Sequence, residues 1–111
     1  MKRPRKVSVG PFPYKLIWDQ AKLDRAGHVD GEAELNGYCD ANKLEILVRP
    51  DLPHERIRET LCHELLHAMF NAAGISDELK GDKEERLVNR LSPLFFEVVR
   101  GNAEVIRWLT T

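Results

Sequence analysis

Cysteine is scarce. Only Cys39 and Cys62 occur in 111 residues, too few for the disulfide framework of a small secreted scaffold and without a C-x-x-C pair. A reducing, cytoplasmic setting is the expectation. Long apolar runs are missing too; none approaches the ~18 residues that a bilayer-spanning helix needs, so no membrane partner is expected. Neither sign of charge dominates, since 17 basic residues against 18 acidic ones leave a net charge of −1. No overall field recruits nucleic acid, and none is expected as a partner. Repeats and low-complexity segments are absent.

What is present, 42% hydrophobic and 32% charged residues, fits one folded domain that buries roughly two thirds of its unfolded surface. Residues 1–13 read as a basic N-terminal tail, in which Gly10, Pro11 and Pro13 break any apolar signal-like stretch. Residues 14–111 read as the domain.

The order of elements predicts an α+β fold, a small N-terminal antiparallel or mixed sheet packed on a C-terminal helical half. Strands are expected at 14–18, 35–40 and 44–49, the last two joined by Ala41-Asn42-Lys43 as a hairpin. The stretch between, through Gly27 and Gly31, reads as polar and irregular. Leu44, Ile46 and Val48 alternate with Glu45 and Arg49, which suits a strand near a sheet edge with one wet face. Asp51 as cap and Pro53 in the first turn open a helix that runs to about Ala73, where Gly74 stops it. Asp82 caps a second helix over 83–100 with Leu87, Val88, Leu91, Leu94, Phe95, Val98 and Val99 as its apolar stripe. Pro93 is expected to kink or split it. Residues 103–109 make a last short helix.

Inside the first long helix stands His63-Glu64-Leu65-Leu66-His67, an H-E-x-x-H sequence. On a helix, positions i and i+4 differ by ~40° around the axis and ~6 Å along it, so both imidazoles can address one ion. Glu64, ~100° round, stands beside that ion. Zinc with an open coordination position acidifies a water, and a carboxylate there can take its proton and pass it to a leaving amine. Two histidines and a glutamate in an otherwise apolar stretch are costly without partners, and a metal accounts for all three. The third ligand must be an acid, because no histidine follows His67. Glu84 and Glu85 are best placed, at the start of the next helix. Periodicity slightly prefers Glu84, which lies mid-stripe with Val88 and Leu91.

A hairpin strand ending Leu44-Glu45-Ile46-Leu47-Val48, then Thr60-Leu61-Cys62-His63-Glu64-Leu65-Leu66-His67, then Glu84-Glu85-Arg86-Leu87-Val88-Asn89, resembles the minimal zincin core. It is similar to ImmA/IrrE-type metallopeptidases and to small phage-borne H-E-x-x-H proteins, over roughly residues 35 to 105. In that family and in thermolysin-like gluzincins the third ligand is the glutamate of E-x-x-x-[DN], whose last member orients a ligating histidine. The resemblance implies Glu85 as that ligand and Asn89 as the residue that orients a histidine. The family's small residue three after the glutamate is Val88 here. The implied function is zinc-dependent peptide hydrolysis, with zinc on His63, His67 and Glu85 and Glu64 as general base and then acid. A peptide or protein substrate would lie along an edge strand. The alternative is a silent or regulatory zinc domain that binds a partner protein through the same groove. Location in the cytoplasm follows, that of the host cell if the chain is phage-encoded. Tyr14 and Tyr38 are equal candidates for a hydroxyl that stabilises an oxyanion.

Overall fold

A computed structural model describes residues 2–30 and 35–111; Gly31 lies outside these residues. Strands β1 (Lys6–Val9) and β2 (Phe12–Ile17) lead into helix α1 (Gln20–Asp30), then β3 (Gly37–Asp40), β4 (Glu45–Val48) and the long helix α2 (His54–Ala72). A short 3-10 turn over Ser76–Glu78 connects to α3 (Lys83–Gly101) and α4 (Ala103–Leu109). The expected α+β class is what the chain adopts, strands mainly in the first half and long helices in the second. Among the described residues no helix is long and apolar enough to cross a membrane.

The four strands form one mixed sheet in the order β1-β2-β4-β3. β1 and β2 are an antiparallel hairpin turned at Gly10 with φ +60°; β2 runs parallel to β4, and β3 returns antiparallel along β4. In the β3–β4 turn the Asp40 carboxylate accepts from the Asn42 and Lys43 amides, both at 3.1 Å. This Asx arrangement closes the hairpin at the expected place.

Residues 1–13 were expected as a tail, and that reading needs correction. Val7 and Val9 alternate inward with Lys6 and Ser8 on the other face, so this stretch gains more as a strand on β2 than in water. Its start is fastened as well: the Trp18 indole donates to the Pro4 carbonyl at 2.8 Å, and the Arg3 guanidinium lies over the same ring. A second correction concerns β4, expected near an edge. It is interior, and Ile46, Leu47 and Val48 are all buried. The reason is α1, which occupies the stretch expected to be irregular. Asp19 caps it by accepting from the Lys22 amide at 3.0 Å, and Leu23 and Gly27, one turn apart, form its inner face. Lys22 reaches Glu45 at 3.4 Å and Arg49 reaches Asp24 at 3.2 Å, so α1 covers the face of β4 that carries residues 45, 47 and 49.

The opposite sheet face packs on α2. Tyr14, Leu16, Ile46 and Val48 meet Ile57 and Ala68 there, and burying each such side chain contributes roughly 1.5–3 kcal/mol. α2 is preceded by Pro53 rather than capped by Asp51, and no side chain caps it. It ends as expected at Gly74, φ +77°: the Ile75 amide donates to Phe70 and the Gly74 amide to Asn71, a Schellman closure that only a left-handed residue permits cheaply. α3 continues as one helix through Pro93, without the expected split. It lies antiparallel on α2, with its start against His67 and its end against Glu55 through Arg100.

Candidate metal centre

α2 and α3 hold the polar cluster between them, and β3 closes it from the sheet side. His63 and His67, one turn apart, project from α2 with ring centroids 5.0 Å apart. From the first turn of α3, the Glu85 carboxylate spans both rings: one oxygen lies 2.8 Å from His63 Nε2 and the other 3.0 Å from His67 Nε2. Glu84 comes to the far side of His67, its oxygen 2.5 Å from Nδ1. The two acids therefore do different things. Glu85 meets the nitrogens that face each other, and Glu84 holds one ring from behind.

His63, His67 and Glu85 offer three ligand atoms within 4.8 Å of one another. Zinc ligands at ~2.0–2.2 Å in tetrahedral array sit roughly 3.4 Å apart, so small side-chain movements would let these donors surround an ion. Two imidazoles and one carboxylate, with room for a fourth ligand in the cleft, are a donor set that could hold a divalent transition metal, zinc among them. The Glu84–His67 contact is the carboxylate–imidazole pairing that commonly fixes a ligating ring. Asn89, assigned that role by resemblance, is exposed on the same cleft and makes no hydrogen bond to either imidazole in this arrangement.

Glu64 lies on the side of α2 that meets the sheet, and only 6% of it is exposed. Its neighbour is Gly37, the first residue of β3. A Cβ on Gly37 would stand 2.7 Å from Thr60 Cγ2 and 3.0 Å from both Cγ and Oε2 of Glu64. Only a residue without a side chain lets the strand come this close. No feature of the sequence marks this glycine, since the contact joins residues 27 positions apart across two elements.

Burial pushes the Glu64 carboxyl up to about 7; His67 opposes this and the Glu85 carboxylate adds to it. Burial likewise lowers His63, with Glu85 opposing it and His67 reinforcing it. For His67 burial acts downward, but the Glu84 hydrogen bond and the carboxylates of Glu64, Glu85 and Glu84 together raise it. Cys39, on β3 at the cleft wall, is driven to about 12 by burial and by Glu64 despite a hydrogen bond with Tyr14. It remains a thiol. The two tyrosines separate here: Tyr14 is buried in the core, whereas Tyr38 lines the cleft.

The cleft encloses about 1060 Å³ and is bordered by β3, α2 and α3, with His63, Glu64, His67 and Glu85 along its floor. No protein-family model, no curated protein and no solved structure matches this chain.

Proposed function

We propose that the chain is a zinc-dependent peptidase of the zincin type, with His63, His67 and Glu85 as metal ligands and Glu64 as the proton-transferring group. The observation that carries this reading is the convergence of two imidazole Nε2 atoms and one carboxylate beside a buried carboxyl that titrates near neutrality. A buried ion pair alone would not need Glu64 there, and a purely structural metal site has no use for it.

When bound, zinc would supply a Lewis acid and a water of lowered pKa. The chain's own groups supply the rest. Glu64, held in a dry seam between α2 and Gly37, accepts a proton from the attacking water and delivers it to the leaving nitrogen. Burial alone raises this carboxyl and a bound cation would lower it again, so the two opposing influences keep Glu64 able to take up and release a proton. Glu84 fixes the ring of His67 through Nδ1 and leaves Nε2 directed at the centre. β3 is an edge strand and borders the cleft. An extended peptide can therefore be held along it by strand addition. The two free cysteines suit a reducing cytoplasmic location.

The test compares zinc-loaded wild type with zinc-loaded Glu64→Gln on unfolded protein substrates, with metal content measured for both. Glu64→Gln should keep its zinc and lose on the order of 10²- to 10⁴-fold in cleavage rate. Equal rates in the two proteins, or no cleavage by either together with equal binding of a partner protein, would replace the peptidase with a zinc-bearing binding domain.

A further inference from the structure

α3 is apolar over a wider arc than the rest of the chain covers. Val88, Ser92 and Phe96, at i, i+4 and i+8, are buried. Leu87, Leu91, Leu94 and Val98 form a second row, turned roughly 120° away from the first. Leu94 is 64% exposed, and Leu91 and Val98 are exposed with it. The following helix adds Val105, Leu109 and Trp108, the last 78% exposed. Single exposed apolar residues are ordinary, but a contiguous row with a tryptophan at its end marks an interaction surface.

The row has an internal order. Positions 87, 91, 94 and 98 follow the 4-3-4 spacing of a heptad seam along α3. The residues just before Leu91 and Val98 are Arg90 and Glu97, one basic and one acidic. The other flank turns toward the core, with Val88 buried and Phe95 half-buried, and carries no charge. A parallel partner helix would set the charged flank against this uncharged one and gain nothing. An antiparallel copy sets the charged flank against itself. Leu91 then meets Leu94 of the second chain, Leu87 meets Val98, and Arg90 stands opposite Glu97 on both sides of a twofold axis. Glu97 has one oxygen on Arg100 at 2.8 Å and an exposed side chain, so it remains accessible to a second cation.

We propose that the outer face of α3 is a homodimer interface in which α3 of one chain packs antiparallel on α3 of another. The partner is a second copy because the face is complementary to itself only in that orientation. This inference is independent of the metal site.

Sedimentation velocity on the full chain, at concentrations up to the hundred-micromolar range, reads it directly. Wild type should dimerise reversibly. Leu94→Glu should weaken the dimer about 100-fold or more, since it places two carboxylates in the seam centre, while far-ultraviolet circular dichroism stays unchanged because Leu94 is already largely in water. Arg90→Glu and Glu97→Arg should each weaken self-association by roughly 5- to 30-fold. Mixed together, these two single variants should form a heterodimer near wild-type strength, because each then offers what the other lacks. A monomeric wild type, a dimer that survives Leu94→Glu, or a mixture of the two charge variants that pairs no better than either alone would each overturn the proposal.

Discussion

Replacing Glu64 with glutamine in the metal-free protein should reverse part of its pH dependence. Glu64 is held in a dry seam that raises its pKa from an ordinary 4.5 to about 7. The folded state therefore binds this proton more tightly than the unfolded state does. At pH values below both pKa values the group contributes no difference. Between them the unfolded chain ionises freely while the folded chain does not, so stability falls as pH rises, and above about 7 the full penalty is present. At ~1.4 kcal/mol per unit, the displacement corresponds to about 3 kcal/mol, a large part of a typical ~5–15 kcal/mol. Glutamine has nearly the same shape and does not titrate. The ratio of interest is the stability of Glu64→Gln relative to wild type at about pH 8.5 compared with about pH 4, measured by urea unfolding in a chelator. It should change by about 3 kcal/mol in favour of the variant at high pH. His67, whose pKa is raised, adds stability at low pH that is lost as pH rises through its own value. The Glu64 carboxylate is one of the groups that raise it, so Glu64→Gln also weakens this low-pH contribution, and the profile is compared with that of a His67→Ala background. Parallel pH profiles for the two proteins would show that Glu64 is not desolvated in the folded chain, and the argument for a poised proton carrier would fail.

The ligand roles differ enough to be ranked. Glu85→Ala should remove most bound zinc, as should His63→Ala or His67→Ala, whereas Glu84→Ala should lower affinity by roughly 10- to 100-fold; metal titration with a competing chelator gives the order, and a larger loss from Glu84→Ala would exchange the two acids. Asn89→Leu should cost less zinc affinity than Glu84→Ala, because Asn89 holds neither imidazole here. Gly37→Ala should destabilise the fold by about 1–3 kcal/mol, the usual cost of forcing a methyl into a filled site, and should lower cleavage by displacing Glu64; wild-type stability and rate would mean that β3 does not press on this side chain.

Much of the chain was legible because periodicity and punctuation agree. Gly74 ends α2 where expected, the β3–β4 hairpin turns over Ala41-Asn42-Lys43, and the helix carrying Glu84 and Glu85 begins at Lys83. α1 does carry a signal, since Asp19 is a good cap and Ala21-Lys22-Leu23 a good first turn, but Gly27 and Gly31 argue against a helix there. Gly27 is in fact buried inside α1. Without α1, β4 reads as a strand near an edge, whereas its charged residues face that helix through ion pairs rather than water. β1 is hard to read because Pro and Gly around a turn look like a disordered tail. At the centre, H-E-x-x-H named three residues outright, but the choice between Glu84 and Glu85 was not legible as a choice. Adjacent residues on a helix reach different nitrogens of the same histidine, which periodicity cannot express.

The placement of Gly37 gives the centre a point of adjustment outside the α2–α3 hairpin. Every metal donor comes from the helical hairpin of α2 and α3, whereas the dryness around Glu64 is imposed from upstream, by the first residue of an edge strand. If the proposed peptidase reading holds, substitutions in β3 would shift the proton affinity of Glu64 without touching a candidate ligand, whereas replacing Glu85 would change both the donor set and the Glu64 carboxyl. A chain of this size would gain from that placement what larger proteins obtain from extra layers of supporting residues.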